Sequence, residues 1–271
     1  MSAALEVGVT GIGFWSPRLP GWASACEVWH GRAAPSEPMP RVAPALLAPN
    51  ERRRAPDTVA LALEVAARAC EMAGVEPRAL PSVFASTHGD LPINDYMCST
   101  LATAPTQCSP TKFHNSVHNA AAGYWTIGTG CVRASTALTA WQQTFAAGLL
   151  EAAVQAVADD TPVLYVAYDV SARGPLADVT PSEGLLAAAL VVEPRAGTTV
   201  LATLALGVRA GRVVDPQLPA GSAWTAALPA NAMRPCLALY GALAAGAPAE
   251  LAWNLGTGCH LAVRLTTRET P

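Results

Sequence analysis

The sequence predicts an α/β fold organised around a strand–helix–strand unit in its middle. In the run VRASTALTAW, Thr136, Leu138 and Ala140 fall on one face, which is the period of a β-strand. From Phe145 onward apolar residues recur at helical spacing, and a second apolar run, PVLYVAYD, follows at Pro162. Two buried strands joined by a crossover helix indicate a parallel sheet covered by helices.

The corner between the first of these strands and its helix carries Trp141, Gln142 and Gln143. Such a corner faces the ligand side, because the amides of a helix's first turn are unpaired and point outward. An enzyme that used the corner for covalent chemistry would place Cys or Ser there. A carboxamide is not a nucleophile, so the sequence predicts a pocket corner without one.

Composition limits the classes of function. The 271 residues are 51% hydrophobic and 14% charged, with a formal net charge of −3. The high apolar content excludes a disordered chain and suggests surface buried against another subunit. The charge gives no reason to expect nucleic-acid binding. No apolar run reaches the roughly 20 residues of a membrane helix, and the amino terminus lacks a signal-peptide pattern, so we expect a cytoplasmic protein.

The remaining elements follow the same signals in chain order. Strands are predicted at residues 5–15, 82–87, 184–193 and 199–214, with a closing strand or hairpin at 251–267. Helices are predicted at residues 22–30, 58–74, 94–104 and 231–247. Asp57 is the predicted N-cap of the second helix, and Gly74 is predicted to end it. No internal repeat or long linker is present, which favours one domain.

Cysteine and histidine patterns give no metal or cofactor site. The seven cysteines include no CxxC pair, which predicts buried thiols. His88 and Asp90 follow a strand and could form an acid/base pair, although a structural role is the favoured interpretation. His114 and His118 have the spacing of one helix face but lack a third ligand, so capping or interface roles are favoured. We therefore predict no metal and no cofactor.

Several segments together resemble the amino-terminal half of a β-ketoacyl synthase, which has the thiolase fold. They are VTGIGFWSP, ALEVAARACEMAG, VFASTHGD, VLYVAYD and SPTKFHNSVHNAAAGYWTI, the last with Asn119 and Gly123 in the family's N-x-x-x-G spacing. The resemblance covers roughly residues 5–193. It implies a single thiolase-like layered α/β domain over residues 1–271. Residues 1–195 are the synthase-like part, and residues 196–271 are a short, divergent closing segment.

The family's spacing locates its nucleophilic cysteine. Counting forward from Thr126 and back from Val163 selects Gln142, with Gln143 as the alternative. Within the resemblance, glutamine at this position is characteristic of two relatives. One is the chain-length factor, the non-condensing partner in type II polyketide synthases. The other is the decarboxylating loading synthase.

The rest of the chain favours the chain-length factor. Active synthases use two histidines from a second thiolase half, whereas the residues after Glu193 contain only His260, in a sequence unlike the synthase motif. The motif N-x-M-R-P-x-L at residues 231–237 is similar to that of the β-ketoacyl synthase-like proteins of aryl polyene and xanthomonadin-type pigment clusters. This implies a non-catalytic subunit that pairs with a full-length β-ketoacyl synthase and meets acyl carrier protein indirectly.

The family layout also assigns side chains. The strand before the corner is expected to pair across the subunit interface through Arg133, Ser135, Ala137 and Thr139. The expected wall of the acyl tunnel comprises Met97, Leu101, Trp141 and Phe145, unless these residues simply fill the core. Gln142 is expected to hydrogen-bond the amides of the corner. Two alternatives stay open: a priming decarboxylase or acyltransferase using Gln142, His88 or a group that the sequence does not identify, and a stand-alone acyl-binding scaffold.

Overall fold

The computed structural model describes residues 5–39, 41–194 and 200–267. Its strands are β1 (Leu5–Trp15), β2 (Ser82–Ala85), β3 (Ser135–Leu138), β4 (Val163–Asp169), β5 (Leu186–Glu193), β6 (Ala202–Ala210), β7 (Ala249–Gly256) and β8 (Cys259–Thr267). Its α-helices are α1 (Trp22–Trp29), α2 (Pro49–Arg54), α3 (Asp57–Ala73), α4 (Leu91–Thr103), α5 (Pro110–Asn115), α6 (Ala120–Thr129), α7 (Thr144–Asp159), α8 (Ala223–Ala227) and α9 (Leu237–Ala245).

All eight strands described belong to one sheet, in the order β3-β2-β4-β5-β1-β6-β8-β7. The predicted parallel sheet is correct for β3, β2 and β4, which run parallel. The remaining pairs, which that prediction did not cover, are antiparallel: β4 pairs with β5, β5 with β1, and β1, β6, β8 and β7 follow in turn. The physical reason is the connections: β5 follows β4, and β8 follows β7, without the crossover helix that a parallel partner requires.

Helices cover both faces of the sheet. On one face α3 lies across β1, β4 and β5, beside α6, and on the other α7 lies across β1, β2 and β4. The approach of α3 to β1 is closest at two glycines. A Cβ atom on Gly13 would lie 2.0 Å from the Val65 carbonyl oxygen, and one on Gly11 would lie 2.0 Å from that of Ala69. Glycine is therefore required at both positions for this helix–sheet distance.

The closing segment completes the same sheet and the same core. Strands β6, β7 and β8 extend the sheet beyond β1, and α8 and α9 pack with α1. The Trp224 ring stacks on Phe14 at 5.3 Å, and its Nε1 donates to the Ala25 carbonyl at 2.8 Å. The predicted boundary between residues 195 and 196 lies outside the described residues.

Most predicted elements are present, with corrections at their ends. The helix at 58–74 is α3, and Gly74 adopts the left-handed conformation that ends it. The prediction of Asp57 as N-cap is wrong: Pro56 holds that position, without a side-chain hydrogen bond, and Asp57 begins the helix. The strand predicted at 199–214 is the shorter β6, with residue 199 outside the described residues. Of the seven thiols predicted to be buried, only Cys70, Cys131 and Cys236 are.

None of the helices in the described ranges is both long enough and apolar enough to cross a membrane.

The close packing of α3 on β1 gives a stability prediction. Gly13→Ala should lower the free energy of unfolding by about 1–3 kcal/mol, because the new Cβ atom meets backbone that cannot rotate away. Gly123→Ala is the matched control. A Cβ atom there has no neighbour within 4 Å, so alanine should be neutral or raise the stability by about 0.5–1 kcal/mol through its helix propensity. Urea denaturation of both variants checks this, and equal effects would contradict it.

Candidate functional site

The site lies at the corner between β3 and α7. A 3₁₀ turn, Trp141–Gln143, joins them, and α7 begins at Thr144. The Thr144 hydroxyl donates to the Trp141 carbonyl at 2.6 Å and accepts from the Ala140 amide at 3.0 Å. The Gln142 side chain is exposed and makes no hydrogen bond to any described residue, so the expectation that it binds the corner amides is wrong. Thr144 performs that role.

Thr144 is a hydroxyl at the start of a helix, where a nucleophile would be placed. Its oxygen already makes two hydrogen bonds to backbone, and the residue is only 1% exposed. No histidine in the described part of the chain hydrogen-bonds to it. Since a hydroxyl nucleophile needs a base within hydrogen-bond reach, the Thr144 hydroxyl has a structural role in the turn.

The corner contains a strained residue. Trp141 has a φ of +54°, and only one other non-glycine residue among those described, Asp160, has a positive φ. For a bulky side chain this conformation costs on the order of 1–3 kcal/mol. Trp141 lies one residue before Gln142, which stays the predicted counterpart of the synthase cysteine.

A buried carboxylate joins the strand ends next to the corner. Asp169, at the end of β4, accepts from the Ser86 hydroxyl at 2.8 Å and from the Thr87 hydroxyl at 2.7 Å, and also from the Thr87 amide. The Thr87 carbonyl accepts from the Thr139 hydroxyl at 2.7 Å, and the Ser86 carbonyl accepts from His118 Nε2 at 2.8 Å. Burial raises the pKa of Asp169 to about 6, although the hydrogen bonds from Thr87 and Ser86 oppose that shift. This network fixes the ends of β2, β3 and β4 together.

The possible acid/base pair of His88 and Asp90 is not formed. Asp90 caps α4 instead: one carboxylate oxygen accepts from the Ile93 amide at 2.9 Å, and the other accepts from the Thr58 hydroxyl at 2.9 Å. The His88 ring meets the Trp141 ring edge-on, with 5.5 Å between centroids. Burial, and to a smaller extent the charge of His118, lowers the pKa of His88. The two side chains therefore serve different contacts.

The four residues predicted for the tunnel wall lie in different environments. Phe145 is in the core under the sheet, with its ring 5.9 Å from that of Tyr165. On α4, Met97 is buried, whereas Leu101 is 56% exposed. Trp141 is 48% exposed at the corner. Their assignment to an acyl tunnel stays a prediction.

β3 forms one edge of the sheet. The Ala134 and Leu138 carbonyls accept hydrogen bonds from the β2 side. Because backbone groups alternate along a strand, those of Arg133, Ser135, Ala137 and Thr139 face away from β2. These four are the residues predicted for the subunit interface, and their outward backbone groups pair with no strand in the described part of the chain.

An apolar groove lies beside α6, which also contacts β3. It has a volume of about 540 Å³ and includes the motif residues Asn119 and Gly123. Large apolar side chains on α5, α6 and the segments next to them are exposed, namely Phe113, Val117, Ile127 and Val132. His114 and His118 do not share a helix, because α5 ends at Asn115 and α6 begins at Ala120. Among the described residues, no three His, Cys, Asp or Glu side chains form a possible metal site.

Asn231 holds the closing segment against this region. Its Nδ2 donates to the Asp169 carbonyl at 3.1 Å and to the Glu183 carbonyl at 3.1 Å, and its Oδ1 accepts from the Met233 amide. Arg234 donates to the Pro229 carbonyl at 3.0 Å. The motif N-x-M-R-P was a visible signal, but sequence alone did not indicate that its side chains bind backbone at the end of β4.

Comparisons with known proteins agree with this geometry. The family model for the β-ketoacyl synthase N-terminal domain matches residues 22–234. A chain of the complex of the ketosynthase ApeO with its chain length factor ApeC from Xenorhabdus doucetiae has 21% identity and a TM-score of 0.72, over 96% of this chain and 99% of that one. A chain of the ishigamide ketosynthase/chain length factor has 14% identity and a TM-score of 0.71, over 96% and 99% of the two chains. The comparison with curated proteins gives no match.

The fold and its corner define a class: a ketosynthase-like α/β domain in which the described corner contains no nucleophile paired with a base. The family model covers well over half of the chain, which establishes the family. The chain belongs to the β-ketoacyl synthase N-terminal domain family.

The buried carboxylate gives a pH prediction. The pKa of Asp169 is about 6 in the folded chain and 3.8 ordinarily, so ionisation opposes folding. Stability from this residue is fully present below about pH 4 and is lost as the pH rises to about 6, by on the order of 3 kcal/mol. In Asp169→Asn, which cannot ionise, this loss should be absent. Urea denaturation at pH 4.5 and pH 7 checks it. If the difference between wild type and variant were the same at both pH values, the assigned ionisation would be wrong.

Proposed function

We propose that this chain is a non-catalytic, chain-length-factor-like subunit. It pairs with a full-length β-ketoacyl synthase in type II polyketide biosynthesis of the aryl polyene pigment kind, and it shapes the tunnel that receives the acyl chain. The observation that carries the proposal is the corner between β3 and α7. It keeps the strand-to-helix turn of the family, yet the described residues there offer no nucleophile with a base in reach.

The extent of the structural similarity supports the same function. The chain matches 99% of a chain in each of two ketosynthase/chain length factor structures, whereas it matches 70% of a β-ketoacyl synthase from Burkholderia phymatum. A third similar structure is a type II acyl-carrier protein bound to its ketosynthase, with 12% identity and a TM-score of 0.71. We propose that carrier protein meets this chain indirectly, through the partner, and that the complex is cytoplasmic.

The edge of β3 is the proposed contact with the ketosynthase. Outward backbone groups at Ser135 and Ala137 offer hydrogen bonds that a strand of the partner would complete. Near this edge, exposed side chains supply apolar surface: Ile127 lies on α6, which contacts β3, and Val132 precedes β3. Together they give an interface with directional backbone bonds and an apolar component.

Two rival functions each have a specific structural observation in their favour. A priming decarboxylase or acyltransferase would need an acid or base near the corner, and the His88 imidazole lies there with its ring against Trp141. A stand-alone acyl-binding scaffold would use the groove along α6 without any ketosynthase. The first predicts activity of the purified chain, and the second predicts a chain that does not associate with a ketosynthase.

A proline substitution at the edge tests the pairing. Ala137→Pro removes an N–H group that faces away from β2, so the isolated chain should keep its fold. Co-expressed with a full-length β-ketoacyl synthase from the same source organism, wild type should co-purify at one-to-one stoichiometry. The variant should bind about tenfold more weakly, through the loss of an intersubunit hydrogen bond.

Thr136→Pro is the control for that experiment. Its N–H faces β2, so proline should destabilise the isolated chain itself by about 3 kcal/mol. Thermal unfolding of each variant separates the two effects. Undiminished one-to-one binding by a folded Ala137→Pro chain would exclude β3 as the contact, and a wild-type chain that never co-purifies would favour the scaffold.

A decarboxylation assay separates subunit from enzyme. Incubated with malonyl-carrier protein, the purified chain should release no CO₂ above a protein-free blank, and Gln142→Ala and His88→Ala should give the same result. The reason is that no described corner residue forms a nucleophile–base pair. Release of CO₂ that disappears in either variant would establish the enzyme alternative.

A further inference from the structure

The backbone of Trp141 is the most unusual feature of the corner. Its φ of +54° is a conformation that glycine adopts readily and that a bulky side chain adopts only under constraint. Asp160, the other non-glycine residue with positive φ in the described ranges, ends α7, where a left-handed residue is common. Trp141 lies instead before a helix, so helix termination does not explain it.

Surrounding contacts hold the strained conformation in place. The Thr144 hydroxyl bridges the amide of Ala140 and the carbonyl of Trp141, the residues on either side of the turn's first peptide bond. In the first turn of α7, the Phe145 carbonyl accepts a 2.7 Å hydrogen bond from the buried Tyr165 hydroxyl. Gly148 lets α7 approach the sheet, because a Cβ atom there would lie 2.7 Å from the Tyr165 ring. Side-chain hydrogen bonds and close packing of α7 on the sheet therefore both fix the turn.

A strained residue at a strand-to-helix turn projects its side chain out over the end of the sheet. Enzymes that use this turn place their nucleophile on that residue, since it becomes accessible from the ligand side. In this chain the residue carries an indole. It is 48% exposed and stands edge-on to His88, whose buried Nε2 has no hydrogen-bond partner in the described part of the chain.

We propose that Trp141, and not Gln142, occupies the elbow position of this fold, and that its indole is a specificity-determining group for the acyl chain. The second half of this inference rests on the proposed function. The turn follows Thr139, the outward-facing residue directly after β3, so pairing at that edge brings the indole to the subunit boundary. A rigid, half-exposed aromatic ring there offers apolar contact to a hydrocarbon chain and limits how far it extends.

The elbow assignment has a test that does not depend on any partner. At a residue with positive φ, glycine is less strained than alanine, so Trp141→Gly should melt about 2–4 °C above Trp141→Ala. Both variants lack the indole, so its lost contacts cancel. At Gln142, where φ is not positive, the glycine variant should melt no higher than the alanine variant. The reverse pattern, with the glycine advantage at Gln142, would overturn the assignment.

The specificity role is tested in the reconstituted complex with the ketosynthase, by mass spectrometry of the released acyl products. Trp141→Ala should lengthen the products by at least one condensation unit at unchanged subunit stoichiometry, because space is opened at the boundary. Gln142→Ala should leave the distribution as in wild type. Trp141→Phe keeps an aromatic ring and should give a smaller shift in product length. This variant provides the test if Trp141→Ala does not assemble with the ketosynthase.

These outcomes separate the two levels of the inference. Products of wild-type length from an assembled Trp141→Ala or Trp141→Phe complex would overturn the specificity role. A shift caused by Gln142→Ala would overturn it as well. If the wild-type chain fails to bind the ketosynthase, the proposed function fails and takes the specificity role with it, whereas the melting comparison still decides the elbow assignment.

Discussion

The hydrogen-bonded carboxylate of Asp169 is the constraint on which the site depends. It lies at the end of β4 and accepts from Ser86 and Thr87, which follow β2, while the Thr87 carbonyl accepts from Thr139, which follows β3. The backbone of the same residue accepts from Asn231, so the closing segment is tied to the same point. A buried carboxylate is tolerated only when it is well hydrogen-bonded, and here its donors, Ser86 and Thr87, both lie in the segment that follows β2. The corner and the closing segment are thus both attached to the hydrogen-bond network around Asp169.

This arrangement accounts for the stability of a corner in which the described residues form no nucleophile–base pair. The Thr144 hydroxyl binds the Ala140 amide and the Trp141 carbonyl, and the Tyr165 hydroxyl fixes the first turn of α7 through the Phe145 carbonyl. The strain at Trp141 is opposed by these contacts and by the packing of α7 on the sheet. The backbone of the corner is therefore fixed within the chain, and under the proposed function its exposed side chains contact the partner's substrate.

Sequence reasoning predicted the elements that depend on periodicity and missed those that depend on backbone geometry. The helix ending at Gly74 was predictable because an apolar repeat stops at the residue that must adopt a left-handed conformation. The direction of β5 was not, since a strand buried on both faces has the same apolar pattern whether it runs parallel or antiparallel. Spacing pointed to Gln142, whereas a dihedral angle that no pattern encodes distinguishes Trp141. Asp90 was a candidate acid because it follows a strand beside His88, whereas the structure uses it to cap α4 and to bind Thr58, which is distant in sequence.

The central claim is that acyl groups are carried by the partner's nucleophile and never by this chain. Intact-mass spectrometry of the heterodimer after incubation with acyl-carrier protein tests it most directly, because each subunit is weighed separately. The account predicts an acyl adduct on the ketosynthase and the unmodified mass for this chain. A covalent acyl adduct on this chain, at the corner between β3 and α7, would contradict it.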